Sequence, residues 1–159
     1  METKVALLGF DTVGKGTYRA LTENADEIER KTGKKVTVKK ILEIDPKVRA
    51  CGLAPEDIFC TDIEEILSDP EISIVAEIIG GMTTALDFIL RAMRAGKHVV
   101  TPNKAVIAAN YDLLKKTAEE NARRAQEEKE FFEKMIRDME KAQEEESKDK
   151  EKDPTDGSN

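Results

Sequence analysis

The 159-residue chain has no tryptophan, a single histidine and two cysteines. The histidine, His98, has no neighbouring Cys, Ser or second His. That excludes a histidine-centred metal site and a nucleophile–histidine triad, and His98 is read as structural. Cys51 and Cys60 have neither metal-ligand spacing nor a C-x-x-C pattern, so they are expected as free thiols in a reducing, cytoplasmic compartment. No apolar run approaches the ~18–20 residues of a membrane-spanning helix, and Met1–Lys4 is expected to lead straight into a strand rather than a secretory leader. An excess of positive charge is also missing. With 26 basic and 33 acidic residues the net charge is −7, which leaves no electrostatic footprint for nucleic acid.

Charge itself is abundant, at 37% of residues against 4% aromatics, and it is unevenly placed. Residues 119–159 hold 15 acidic and nine basic side chains, whereas the first 118 hold 18 and 17. The expected organisation is therefore a nearly neutral domain over 1–110, a long amphipathic helix over 111–146, and a disordered acidic tail over 147–159.

The domain is organised around Lys4–Gly16, K-V-A-L-L-G-F-D-T-V-G-K-G. A continuous apolar run marks a strand buried on both faces. It ends in Gly9 and is followed by a tight turn that opens a helix near Gly14. A strand–turn–helix of this kind presents helix N-terminal N–H groups to a diphosphate, with glycines in the pattern G-x-G-x-x-G. Gly9 and Gly14 occupy the first and third glycine positions; the middle one is Asp11. The helix carries Tyr18, Leu21, Ala25 and Ile28 and stops at Thr32-Gly33. Further strands are expected at Val36–Ile44, Ile58–Cys60, Ile72–Ile79 and Lys97–Thr101. Between them lie a loop or broken helical turn at 47–56, a helix over 62–67 opened by a Thr61-x-x-Glu64 capping box, and a helix over 83–94. This alternation predicts an α/β fold, a Rossmann-like parallel sheet of four or five strands in the order 3-2-1-4-5, with helices on both faces. After a short helix at 104–109, Asn110 is a plausible N-cap for a helix running to about 145. Its seam includes Leu114, Ala118, Ala122 and Ala125, and it ends in an apolar patch, Phe131, Phe132, Met135, Ile136 and Met139, which predicts core packing or self-association.

Three motifs together, the glycine turn, E-I-I-G-G-M-T and A-G-K-H-V-V-T-P-N-K-A, resemble the cofactor domain of homoserine dehydrogenase over about residues 3–121. The resemblance implies hydride transfer between a nicotinamide and the aspartate-semialdehyde/homoserine couple. It implies that Phe10, Thr12 and Val13 wrap the diphosphate and that Gly80, Gly81, Thr101 and Asn103 lie near the ribose and nicotinamide. It places Lys104 near the substrate as the candidate catalytic lysine, the alternative being a solvated or helix-capping one. Glu77 either lines the nicotinamide pocket or is paired at the solvent end of its strand.

The chain departs from the family at this site. Asp11 replaces the middle glycine, where a carboxylate facing two phosphates adds repulsion of ~1 kcal/mol or more. Ile44 stands where members often carry an arginine for a 2′-phosphate, and Glu43 and Asp45 beside it favour a ribose hydroxyl. Thr84 replaces the usual proline of the G-G-x-x-P-A turn. Beyond Asn121 the family continues into its substrate domain, whereas here an acidic helix follows, so a truncated or redesigned chain is expected. The expected cofactor is NAD, bound weakly or not at all, with NADP disfavoured. The alternative is a cofactor-free Rossmann scaffold whose C-terminal helix mediates self-association.

Overall fold

The first strand, β1 (Glu2–Leu8), pairs in parallel with neighbours on both sides, and its residues divide between two cores. Val5 and Leu7 pack into one with Phe10 and Ile41, while Ala6 and Leu8 pack into the other with Ile66, Ile72 and Val75. Successive strand side chains point to opposite faces, so a central strand must be apolar at every position, as V-A-L-L is. Each fully buried aliphatic side chain here contributes roughly 1.5–3 kcal/mol.

The computed structural model describes residues 2–151, with side chains through residue 144. After β1 the chain runs through α1 (Thr12–Glu23) and α2 (Ala25–Thr32) into β2 (Lys35–Leu42). The single helix expected before Gly33 is thus two, and α1 begins at Thr12 rather than near Gly14. The break falls at Asn24, where the backbone leaves helical geometry (φ −109°, ψ 21°) and the Asn24 amide donates back to the Ala20 carbonyl at 2.9 Å. A one-turn helix, α3 (Pro46–Arg49), is capped by Asp45, whose carboxylate accepts the Lys47 N–H at 2.8 Å. A 3-10 turn at Glu56–Ile58 leads to β3 (Phe59–Cys60). The next helix, α4 (Glu64–Leu67), is entered through Asp62, whose carboxylate accepts the Glu64 N–H at 2.9 Å. The Thr61 capping box is therefore not used: Asp62, one residue closer, reaches the N–H first. Then follow β4 (Ile72–Glu77), α5 (Thr83–Arg94), β5 (His98–Val100), α6 (Lys104–Ala109) and α7 (Tyr111–Glu151).

Among the described residues the sheet has five strands in the order β3-β2-β1-β4-β5, all pairs parallel. This is the expected order, with β1 and β4 adjacent at its centre. All the loops leaving the strands' C-terminal ends therefore emerge along one edge, and the order reverses between β1 and β4, the crevice position for a ligand in open α/β sheets.

The chain divides into two units, Met1–Ala118 and Glu119–Asn159. In the first, the opening turns of α7 are docked: Leu114 packs against Ala85, Ile89 and Val106, and Thr117 is buried with its hydroxyl donating to the Leu113 carbonyl at 2.8 Å. In the second, helix continues to Glu151, into the stretch expected as tail; residues 152–159 lie outside the described residues. Phe131 and Phe132, in edge contact at 5.9 Å, are 64% and 54% exposed, and Met135, Ile136 and Met139 are exposed beside them. No helix among the described residues is long and apolar enough to cross a membrane.

Candidate functional site

The turn after β1 is shaped by two glycines for reasons of packing. Gly9 adopts φ +102°, a region that L side chains rarely enter, and a Cβ there would lie 3.1 Å from the Ile78 carbonyl oxygen. A Cβ on Gly14 would lie only 2.4 Å from the Gly9 carbonyl oxygen, so α1 rests on the strand through a hydrogen atom. Between them Phe10 is fully buried in edge contact with Tyr18 and Phe59, at 5.7 and 5.1 Å. Asp11 has ordinary extended backbone (φ −77°, ψ −156°) and stands at the N-cap of α1, exposed, with no capping hydrogen bond from its side chain. The first-turn N–H groups of a helix have no intrahelical partner. Asp11 lines the groove at this helix end, so its carboxylate adds negative charge beside them.

Across the crevice, Glu77 ends β4 with no exposed surface. Its Oε1 accepts the Ile79 and Gly80 N–H groups at 2.9 and 3.3 Å, and its Oε2 accepts the Thr101 hydroxyl at 2.6 Å. Thr101 Oγ1 in turn accepts the Asn103 N–H at 2.9 Å, and the Asn103 side chain donates to the Gly81 carbonyl at 2.7 Å. The Asn103 Oδ1 caps α6 by accepting the Val106 N–H at 3.2 Å. A closed ring of hydrogen bonds thus ties the loop after β4 to the loop after β5. Neither reading of Glu77 from sequence described this fully: it faces the crevice, and it is paired, but in the interior rather than at a solvent end.

The crevice itself is a groove of about 340 Å³ with Asp11, Thr12 and Val13 on one side, Glu77–Gly81 along the strand end, and Pro102 and Asn103 opposite. Of the residues singled out from sequence, the structure gathers Asp11, Thr12, Val13, Gly80, Gly81 and Asn103 here. Gly9, Phe10 and Gly14 lie beneath the turn, and Thr101 reaches the groove through Glu77. Glu43 and Ile44 are at the end of β2. There both Glu43 oxygens are engaged, Oε2 with the Phe10 N–H at 3.0 Å and Oε1 with the Asp45 N–H at 2.9 Å. Ile44 is 76% exposed, and Lys104 is exposed at the start of α6. Sequence reasoning missed Ile78, Ile79 and Pro102 as lining residues. The signal for Pro102 was its place inside T-P-N-K; the other two read simply as strand.

Elsewhere, Lys39 bridges Asp69 and Glu71 at 2.5 Å each and holds both carboxyls below their ordinary values. Burial pushes the Cys60 thiol up to about 11, while Cys51 is exposed, and both cysteines are free. Among the described residues no cluster of His, Cys, Asp or Glu is arranged to hold a metal.

The sequence and the fold have counterparts among known proteins. A protein-family model described as homoserine dehydrogenase, NAD binding domain, matches residues 9–127. The homoserine dehydrogenase of Methylobacillus glycogenes is 44% identical over 108 residues, covering 65% of this chain and 25% of its own length. The crystal structure of a homoserine dehydrogenase from Thiobacillus denitrificans superposes with TM-score 0.71 at 35% identity, covering 77% of this chain and 28% of that one. A hyperthermophilic archaeal homoserine dehydrogenase in complex with NADPH does so with TM-score 0.57 at 26% identity, over 77% of this chain and 42% of that one. The chain spans about a quarter of the length of the curated relatives it matches. With a match that runs from the glycine turn through the groove loops and into α7, the chain belongs to the family of homoserine dehydrogenase NAD-binding domains.

Proposed function

We propose that this chain is a nicotinamide-dinucleotide-binding domain whose affinity is held low by Asp11, and that by itself it turns over little or no substrate. The groove fits such a ligand in shape. A helix N-terminus faces it from one side, and Gly80 and Gly81 bring backbone to its floor with open space where a Cβ would stand. Thr12, Val13 and the first-turn N–H groups of α1 would hold the diphosphate, and Gly80, Gly81 and Asn103 the ribose–nicotinamide half. When bound, the nicotinamide supplies hydride transfer. The chain's own residues orient it and, through the Glu77–Thr101–Asn103 ring, hold the two loops in register. NAD is preferred over NADP, because the end of β2 carries exposed Ile44 between two carboxylates, Glu43 and Asp45, which favour a ribose hydroxyl over a 2′-phosphate. The NADPH-bound archaeal relative shows that its own fold accepts a dinucleotide. Lys104 is in the family's substrate-side position, but hydride transfer also needs a substrate held against the ring. Free thiols at Cys51 and Cys60 suit a reducing, cytoplasmic setting.

Asp11 carries this reading, since its exposed carboxylate stands at the helix end where a diphosphate would be held. Titration of NADH by fluorescence tests it. The native chain is expected to bind in the millimolar range and Asp11→Gly about tenfold or more tighter, from removing a like charge within a few ångströms of the phosphates. Equal affinity for the two chains would remove Asp11 from the account.

The exposed stripe Phe131, Phe132, Met135, Ile136 and Met139 favours a second reading, self-association through α7. Light scattering of the intact chain and of one ending at Asn121 tests it. The expected result is a dimer or larger species only for the intact chain, and two monomers would end the idea.

A further inference from the structure

Glu77 is a fully buried carboxylate whose partners are all neutral. Thr101 Oγ1 accepts the Asn103 N–H and gives its own proton to Glu77 Oε2. The two contacts on Oε1 come from backbone N–H groups. All three bonds are therefore donated to the carboxylate, the pattern of an ionised acceptor. A neutral donor set spreads this charge without cancelling it, and the low local dielectric screens it weakly.

Resting on the reading that the groove takes a nicotinamide dinucleotide, we infer that Glu77 sets which redox form is held: its buried charge favours the cationic oxidised ring over the neutral reduced one. The two carboxylates of the groove then act on different parts of the ligand. Asp11 faces the diphosphate, which is the same in both forms, and so weakens both alike. Glu77 lies along the strand end between the Gly80–Gly81 loop and Asn103, and acts on the part of the ligand whose charge changes. In an effective dielectric of about 20, a unit charge several ångströms away is strong enough to shift a binding ratio by roughly tenfold or more.

The test is calorimetric titration of the full-length Asp11→Gly chain with NAD+ and with NADH, repeated after adding Glu77→Gln or Glu77→Asp. Glutamine keeps an oxygen for the Ile79 and Gly80 N–H groups and lets the Thr101 hydroxyl turn to accept, so the loops stay tied while the charge is lost. The expected result is that both forms still bind Glu77→Gln but the preference for NAD+ over NADH falls about tenfold, whereas Glu77→Asp keeps the parent ratio. A Glu77→Gln ratio within twofold of the parent overturns the inference and leaves the binding reading standing. Failure of either form to bind the Asp11→Gly chain overturns both. Should Glu77→Gln not fold, the Glu77 carboxyl carbon resonance of the Asp11→Gly chain gives the readout. It is expected to move on adding NAD+ and to move much less with NADH, and equal movement sinks the proposal.

Discussion

Asp11 and Gly14 lie three residues apart and answer to different constraints. Gly14 is required by contact: an alanine Cβ would have to displace the Gly9 carbonyl oxygen, 2.4 Å away. Gly14→Ala is therefore expected to destabilise the domain by about 2–4 kcal/mol, because backbone rather than a flexible side chain must yield; chemical denaturation measures it. Thiol labelling separates the cysteines in the same residue-by-residue way. With Cys60 buried and its thiol held protonated up to about pH 11, a maleimide at pH 7.5 is expected to modify one thiol per native chain, Cys51, and two after unfolding. The motif glycines and Asp11 were legible in the sequence because their spacing is local. The Glu77 ring was not. It joins residues 24 apart in the chain, Glu77 and Thr101, and no local pattern distinguishes a carboxylate buried against a hydroxyl from one at a strand's wet end.

At the scale of elements, strands and their order were readable because an apolar run that does not alternate can only be buried on both faces. Helix ends were less so. The transfer of the cap from Thr61 to Asp62 depends on which of two adjacent polar side chains reaches an N–H, and the break at Asn24 on an amide that bonds back to the Ala20 carbonyl; spacing alone leaves both open. The loop before β4 has a pH signature of its own. Asp69 and Glu71 are held below their ordinary values first by hydrogen bonds from Lys39. The support they provide is complete above the usual carboxylate range and is lost as pH falls through their lowered values. The Tm of the native chain is thus expected to exceed that of Lys39→Met at pH 7 and to converge with it once the pH has fallen below the ordinary carboxylate range and through the lowered values. The edge pair Phe131–Phe132 belongs to this scale too. Phe132→Glu and Ile136→Glu are expected to leave the Tm of the Rossmann unit unchanged while abolishing any concentration dependence of sedimentation, since both side chains are exposed in the native chain.

For the molecule as a whole, the division at residue 118 separates a unit with three buried apolar clusters from a helix whose described side chains are nearly all exposed. Hydrogen exchange is expected to follow it, with slow amides in β1, β2 and β4 and fast ones beyond residue 119, because opening free energy rises with local burial. Fold class was legible at this scale, since alternating strands and helices admit few topologies. What becomes of the long helix was not, since an amphipathic stripe says that a surface is wanted without saying whose. The packing of α1 on the sheet has one consequence for how such domains drift. Gly9 and Gly14 answer to the backbone around them, so folding alone is enough to require them. Asp11 sits in relaxed extended geometry and escapes that veto. The central position of the turn can therefore change side chain at little cost to folding, while the two flanking glycines cannot.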